Sequence, residues 1–268
     1  MIGSELPGTP DIKQCCALLY GSEAARFLLG DSFHPGGIDL TLDLAGRLCL
    51  SIDSHVLDVA SGRGTSAMAV AERFGCRVTG IDLSAANVAD AGAAALERGL
   101  ADRVTFVRAD AEELPFDAAT FDAILCECAF CTFPDKAKAA AEFARVLRSP
   151  GRIGISDLTR VAEPLPELDG LLAWIACIGD AQPLDRYAAW LRNAGFSMTA
   201  GIVRDDCLRT MVAQVRSKLM VAEVMIGLRK LELPGFDLSE AKQLAIAADS
   251  AVKNGKLGYA LLIGELRS

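Results

Sequence analysis

The sequence predicts an α/β fold in which a mostly parallel β-sheet is covered by helices on both faces. Short apolar runs alternate with helical patterns between residues 50 and 200. A glycine turn follows the first apolar run, and an acidic residue ends the second. This alternation is typical of a doubly wound sheet of the Rossmann type, which binds ligands at the carboxyl ends of its strands.

Seven strands are predicted from short apolar runs that are bounded by turn residues. They cover residues 56–59, 77–81, 103–108, 123–126, 152–156, 196–203 and 257–265. The predicted helices share an amphipathic or alanine-rich pattern, and they cover residues 65–74, 85–98, 135–147, 166–178, 184–193, 207–231 and 239–254. Ser84 is the predicted N-cap of the helix that follows it, because its hydroxyl can accept a hydrogen bond from a free backbone amide.

The chain is predicted to form a single domain, residues 1–268, in three parts. Residues 1–50 read as helical pieces broken by glycine and proline, and we expect them to form a lid. Residues 51–203 hold the alternating pattern and are the predicted core. Residues 204–256 are a predicted helical insertion before the last strand, and they would cap the sheet.

Composition and charge exclude several classes of partner. The net charge is −8 and the basic residues are scattered, which argues against nucleic acid as a substrate. No apolar run reaches the roughly 18 residues of a membrane span, and the amino terminus shows no signal-peptide pattern. Nine scattered cysteines do not resemble a disulfide framework, and Cys49 and Cys76 are expected to be buried thiols. We therefore expect a cytoplasmic protein; its oligomeric state stays open.

The glycine turn predicts a cofactor that carries a nucleoside. Asp58, Ala60, Gly62 and Gly64 alternate along the turn, and Asp82 follows at the end of the next apolar run. Glycine lets backbone amides approach a ligand where a Cβ would collide. An acidic side chain at the end of the second strand is placed to accept hydrogen bonds from ribose hydroxyls. The turn lacks the third glycine of a dinucleotide site, so a pyrophosphate is not indicated.

This turn resembles motif I of the class I S-adenosylmethionine-dependent methyltransferases, with Ala60 in place of the first glycine. Further segments match that family in order and spacing. They are residues 107–111 with 114–116, residues 121–125, residues 133–135, and residues 145–148 with 150–151. The resemblance implies a Rossmann-like, seven-stranded methyltransferase sheet whose last two strands form an antiparallel hairpin. It also implies S-adenosyl-L-methionine as the cofactor.

The resemblance further implies a set of cofactor-binding residues. They are Tyr20, Asp58, Val59, Ala60, Gly62, Asp82, Leu83, Asp110, Ala111 and Cys126. By the family pattern Asp110 would accept a hydrogen bond from the adenine amino group, and Ala111 would donate its backbone amide. Segments such as the loop around His34 fold over the methionine end of the cofactor in this family. His34 would orient an acceptor or act as a base, or it is simply a loop residue.

A group of three cysteines follows the fourth predicted strand, beside the expected position of the transferable methyl group. Cys126, Cys128 and Cys131 are spaced poorly for structural zinc, and no metal site is predicted. They would either pack in the core or offer thiolates to a soft metalloid. No choice between these two follows from the spacing.

The cysteine segment resembles arsenite methyltransferases more closely. Cys128 and Cys177 fall on the two arsenic-binding cysteines of that family, and Cys131 is a weaker third candidate beside Cys207 and the Cys15-Cys16 pair. Glu127 stands where that family has asparagine, and residues 207–268 do not match it. The preferred prediction is methyl transfer to trivalent arsenic held by Cys128, Cys177 and Cys131. The alternatives are a small organic acceptor, or a non-catalytic protein that binds the cofactor or a metalloid.

Overall fold

Seven strands form one sheet in the order β3-β2-β1-β4-β5-β7-β6 in the computed structural model of the chain. The strands are β1 (His55–Val59), β2 (Arg77–Asp82), β3 (Val104–Arg108), β4 (Phe121–Glu127), β5 (Leu147–Arg160), β6 (Phe196–Val203) and β7 (Leu257–Leu266). β1 to β5 pair in parallel, and β7 runs antiparallel between β5 and β6. The predicted Rossmann-like methyltransferase sheet, with its antiparallel hairpin, is confirmed.

The structure describes residues 20, 27–28, 30, 33–161, 163, 165–169, 173, 176–231 and 237–267. Within them the helices whose bounds are described are α1 (Gly37–Gly46), α2 (Thr65–Phe74), α3 (Ala85–Glu97), α4 (Lys136–Val146), α5 (Leu184–Asn193), α6 (Asp205–Gly227) and α7 (Leu238–Lys253). Most of the predicted lid, including Cys15 and Cys16, lies outside the described residues.

Side-chain caps fix the starts of three helices. Ser84 accepts a hydrogen bond from the Asn87 amide, as predicted. Asp135 caps α4 by accepting a hydrogen bond from the Lys138 amide. The helix therefore begins at Lys136, one residue after the predicted start at Asp135. Asp237 caps α7 in the same way. Each cap pairs an amide that the helix leaves without a partner.

Two predicted elements differ from those observed. β5 was predicted over residues 152–156 but runs from Leu147 to Arg160. It extends beyond the prediction because the long antiparallel strand β7 pairs with β5 as far as Arg160, the last residue of β5. Of the predicted helix at residues 166–178, the described part shows a 3₁₀ turn at Pro166–Leu168 and a helical residue at Ala173. The backbone at Asp169 is extended, so this turn ends there.

The hydrophobic core lies between the sheet and its helices. Val56, Leu57 and Val59 of β1 are 1% exposed or less, as expected for an interior strand between β2 and β4. A smaller cluster joins Leu28 to α6 and α7, so residues before the sheet pack on the helical insertion. Cys76 is buried as expected, but Cys49 is exposed, and that prediction was wrong. Cys49 lies after α1 in a left-handed backbone conformation, and its sulfur contacts Arg152.

None of the helices in the described part of the chain is long and apolar enough to cross a membrane.

Candidate functional site

A cleft that is partly open to solvent lies at the carboxyl ends of β1, β2 and β4. The sheet order reverses between β1 and β4, and ligands bind at such a switch point in open α/β sheets. Most of the predicted cofactor residues line the cleft, namely Tyr20, Asp58, Ala60, Gly62, Asp82, Leu83, Asp110 and Ala111. Val59 and Cys126 are fully buried strand residues beneath it.

The glycine turn after β1 forms the floor of the cleft through left-handed backbone. Ala60, Gly62 and Gly64 have φ values of 57°, 55° and 76°. Gly64 cannot be replaced without movement, because a Cβ there would lie 2.3 Å from the Phe106 ring. Ala60 adopts a conformation that costs an L-residue roughly 1–2 kcal/mol. This explains why glycine is the usual residue of motif I at this position.

Asp82 connects this turn to the end of β2. Its Oδ2 accepts a hydrogen bond from the Gly62 amide at 2.9 Å, and its Oδ1 accepts one from the Ser84 amide at 2.8 Å. Burial raises the pKa of Asp82 above its ordinary value. Each carboxylate oxygen has two lone pairs, so Asp82 can still accept hydrogen bonds from a ligand in the cleft.

Several buried polar atoms in the cleft make no hydrogen bond to the described part of the chain. They are Asp58 Oδ2, Ser61 Oγ and Asn87 Oδ1. Leaving such atoms unpaired costs about 1–3 kcal/mol each, so they point to a polar ligand. Burial raises the pKa of Asp58 well above its ordinary value, and the Glu127 and Asp82 carboxylates raise it further. A cationic ligand would relieve this repulsion.

Asp110 and Ala111 lie at the β3 side of the cleft. The Asp110 Oδ1 accepts a hydrogen bond from the Glu112 amide at 2.9 Å, which fixes the carboxylate after β3. Ala111 is 7% exposed. Leu83, directly after β2, completes this wall.

A buried polar cluster on the β4 side centres on Glu127, which the sequence showed only as a departure from a family pattern. Glu127 Oε2 accepts hydrogen bonds from Thr41 Oγ1 at 2.9 Å and from Ser66 Oγ at 2.8 Å. His34 Nε2 lies 3.5 Å from the same oxygen. His34 Nδ1 lies 3.3 Å from the Pro35 carbonyl oxygen. The predicted catalytic histidine is thus held beside an unforeseen carboxylate.

The three predicted acceptor cysteines come together behind this wall. Cys177 Sγ donates a hydrogen bond to the Cys128 carbonyl oxygen at 3.0 Å and lies 3.4 Å from the Tyr20 hydroxyl. The Cys128 and Cys131 thiols lie near enough to shift its pKa. Cys128 reaches the cleft, whereas Cys131 and Cys177 are 1% exposed. Cys207 contacts Arg204 instead and does not join them.

Among the three thiols, Cys177 is the one whose pKa is lowered. Hydrogen bonds from the Cys128 and Cys131 thiols lower the pKa of Cys177 well below its ordinary value. The contact of its sulfur with the Cys128 carbonyl oxygen suits the protonated form and opposes this, but the thiol donors are more numerous. The bond to Cys177 raises the pKa of Cys128, and burial raises that of Cys131. Burial, and then Cys177, raise the pKa of Asp157 to about 7.

Both acceptor cysteines have strained backbones. Cys128 has a φ of 51° and Cys177 a φ of 64°, in the left-handed region that favours glycine. Such strain often marks functional segments. No group of three or more histidine, cysteine or acidic residues is arranged to hold a metal ion in the ranges that the structure covers.

Comparison with known proteins defines the class of the chain. Residues 56–151 match the family described as Methyltransferase domain. The chain is 35% identical over 257 residues to the 27-O-demethylrifamycin SV methyltransferase of Amycolatopsis mediterranei (strain S699), covering 88% of this chain and 90% of that protein. This chain therefore belongs to the S-adenosylmethionine-dependent methyltransferases, and it is an enzyme that uses S-adenosylmethionine as its cofactor.

Solved structures share the fold over nearly the whole chain. The [4+2]-cyclase SpnF superposes with a TM-score of 0.76 at 24% identity, covering 98% of this chain and 99% of that one. The geranyl diphosphate C-methyltransferase of Streptomyces coelicolor A3(2), in complex with S-adenosyl-L-homocysteine, gives a TM-score of 0.77 at 17% identity, covering 97% and 99%.

The cleft fits this cofactor on its own chemistry. S-adenosylmethionine carries two ribose hydroxyls, an adenine amino group and a cationic methionine end, and no phosphate. The unpaired acceptors in the cleft suit the hydroxyl and amino donors, and the carboxylates suit the positive charge. When bound, the cofactor supplies an electrophilic methyl group on a sulfonium.

Proposed function

We propose that this methyltransferase transfers the methyl group to a hydroxyl of a small organic molecule. The observation that carries the proposal is the 35% identity, over 90% of its length, to a protein named for O-methylation of a rifamycin. The similarity extends beyond the cofactor core into the regions that flank the cleft. Acceptor specificity usually resides in such flanking segments, since the core is shared by many functions.

The proposed cofactor contacts follow the motifs. Asp82 accepts hydrogen bonds from the ribose hydroxyls, and Asp110 and the Ala111 amide bind the adenine edge. Asp58 supports the turn, and the left-handed backbone at Gly62 brings amides close to the cofactor. Their common position around one cleft supports these roles.

His34 is the proposed base. Its Nε2 faces the Glu127 carboxylate at 3.5 Å, and a carboxylate at one ring nitrogen favours the tautomer that leaves the other basic. Nδ1 contacts only the Pro35 carbonyl oxygen, at 3.3 Å, among the described residues. With the ring turned away from that carbonyl, Nδ1 would accept the proton of an acceptor hydroxyl. The hydroxyl oxygen would then bond to the methyl carbon in line while the carbon–sulfur bond of the sulfonium breaks, which leaves S-adenosylhomocysteine as the second product. The chain contributes mainly by alignment and by excluding water.

A second candidate acceptor is trivalent arsenic, because the Cys128 and Cys131 thiols lie near Cys177 beside the cleft. Cys128, Cys131 and Cys177 are the ligand type that a soft metalloid prefers. The lowered pKa of Cys177 favours the thiolate form that such a ligand needs. Under this alternative the lone pair on arsenic, instead of the oxygen of an organic acceptor, would attack the methyl group.

Release of S-adenosylhomocysteine separates the candidates. The purified protein is incubated with cofactor and either 27-O-demethylrifamycin SV or arsenite with a thiol reductant. The proposal predicts release with the organic acceptor, retained within several-fold in Cys128→Ser and Cys177→Ser. Cys49→Ser is the matched control, since Cys49 is exposed, contacts Arg152 and does not line the cleft.

Arsenite-dependent release that disappears in Cys128→Ser and Cys177→Ser, but not in Cys49→Ser, would instead establish the metalloid acceptor. Cofactor binding without transfer to any tested acceptor would favour the non-catalytic alternative.

A further inference from the structure

Glu127, at the end of β4, has a carboxylate that is held rigidly in the wall of the cleft. Its side chain is 4% exposed, yet it lines the cleft. Oε2 accepts the hydrogen bonds of Thr41 on α1 and Ser66 on α2. Oε1 lies 3.5 Å from Ser156 Oγ on β5. Three separate elements thus fix the direction of this carboxylate.

The charge of Glu127 lacks a lysine or arginine partner among the described residues. Its one recorded ionic neighbour there is His34, which carries charge only when protonated. Asp58 lies close enough for the Glu127 carboxylate to raise the pKa of Asp58. Two neighbouring carboxylates in a desolvated wall are costly unless a cation joins them. The local chemistry therefore calls for a positive charge from the cleft.

The arrangement of strands indicates which part of the cofactor brings that charge. Asp82 and Asp110, proposed for the ribose and adenine, lie on the β2 and β3 side of β1. Glu127 lies on the opposite side, at the end of β4. A cofactor whose adenosine occupies the first side must extend its methionine across the glycine turn towards the second.

We propose that Glu127 is a cofactor-positioning residue whose carboxylate binds the α-ammonium group at the methionine end of S-adenosylmethionine. This assignment rests on the proposed orientation of adenosine, but not on the identity of the acceptor. Because Thr41 and His34 contact the same carboxylate, the segment before the sheet is anchored directly beside the bound methionine.

Calorimetric binding of three ligands tests this assignment without turnover. S-adenosylmethionine and S-adenosylhomocysteine both carry the α-ammonium group, whereas 5′-methylthioadenosine has the same adenosine and lacks the amino acid. In Glu127→Gln, the Kd of the first two should rise on the order of tenfold or more, as expected for a lost charge-assisted hydrogen bond. The Kd of 5′-methylthioadenosine should stay within about twofold, since that ligand never carried the partner charge.

Thr41→Val is the control for the possibility that Glu127 only holds the surrounding structure together. This variant removes one hydrogen-bond donor to Glu127 and leaves the negative charge of the carboxylate. Equal weakening of all three ligands in Glu127→Gln, or no weakening, would overturn the assignment. So would an equal loss of S-adenosylmethionine affinity in Thr41→Val. Should Glu127→Gln fail to fold, Glu127→Asp carries the same test, because it withdraws the carboxylate from the cleft and should likewise spare 5′-methylthioadenosine.

Discussion

Asp82 and Gly62 are joined by a hydrogen bond of 2.9 Å from the Gly62 amide to Asp82 Oδ2. The two residues lie 20 positions apart, one in the turn after β1 and the other at the end of β2. Their contact fixes the shape of the turn against the acidic residue that faces the cleft. Two motifs that look separate in sequence therefore form one unit of the cofactor site.

Replacing Asp82 should weaken every ligand that contains the adenosine group. In Asp82→Asn, one carboxylate oxygen becomes an NH₂ group facing the backbone donors of Gly62 and Ser84. We expect the affinities for S-adenosylmethionine, S-adenosylhomocysteine and 5′-methylthioadenosine to fall together, by roughly 1.5–3 kcal/mol. Calorimetry measures this, with the exposed Asp102→Asn as control. Undiminished binding of 5′-methylthioadenosine would refute a ribose contact at Asp82.

Glycine at position 60 should stabilise the protein. Ala60 has a left-handed φ of 57°, which Gly adopts without steric cost. We expect Ala60→Gly to raise the free energy of unfolding by about 1 kcal/mol. Ala93→Gly, at an exposed position in the middle of α3, should lower it by a similar amount, about 1 kcal/mol. Denaturant unfolding of both variants checks the opposite signs; destabilisation in both would mean that Ala60 is not strained.

Lys136 should support both stability and the cleft. It is 5% exposed, pairs with Asp180, and donates to the Phe133 carbonyl oxygen at 3.0 Å. Lys136→Met removes the ionic partner of Asp180, which is partly exposed and keeps its hydrogen bond from Gln182, and should cost about 1–3 kcal/mol. Because Phe133 lines the cleft, cofactor affinity should fall as well. Lys138→Met, exposed on the same helix, should change stability by less than about 0.5 kcal/mol, and an equal effect of the two would contradict this account.

The thiolate of Cys177 should be detectable through Asp157. Burial, and next the charge of Cys177, raise the pKa of Asp157 to about 7. In Cys177→Ala that repulsion disappears, so we expect the pKa of Asp157 to fall, as followed by carbon NMR of labelled aspartate carboxyls. A pKa that stays near 7 in the variant would show that burial alone is responsible.

The same shift has a defined sign for stability. A carboxyl whose pKa is raised on folding favours the folded state below its unfolded value of about 3.9, and this contribution is lost as the pH rises towards 7. The lowered pKa of Cys177 acts in the opposite direction, because the folded state then gains stability as the thiol ionises. Because the two effects on stability oppose each other, titration of the Asp157 carboxyl tests the charge of Cys177 more directly than the pH dependence of stability does.

The cofactor cleft was predictable because parallel strands present their carboxyl ends at one edge of the sheet. Asp58, Gly62, Asp82 and Asp110 each follow or end an apolar run, and a sheet with parallel neighbours brings such positions together. Local pattern was enough to place Asp58, Gly62 and Asp82 around one cleft, whereas Asp110 was assigned through the resemblance to the methyltransferase family.

Glu127 was missed because its environment comes from distant parts of the chain. Thr41 and Ser66 are 86 and 61 positions away from it, and no local pattern records that they meet it. The one available signal was an acidic residue at the end of a buried apolar strand. Likewise, the choice of Cys131 over Cys207 as the neighbour of Cys177 depends on tertiary packing.

The position of the transferred methyl group tests the central claim most directly. The purified protein is incubated with S-adenosylmethionine labelled with ¹³C at the methyl group, together with 27-O-demethylrifamycin SV and, in parallel, arsenite. Products are analysed by NMR and mass spectrometry. The account predicts a labelled methyl bound to oxygen of the organic acceptor. A label found on arsenic, and on no organic acceptor, would contradict it.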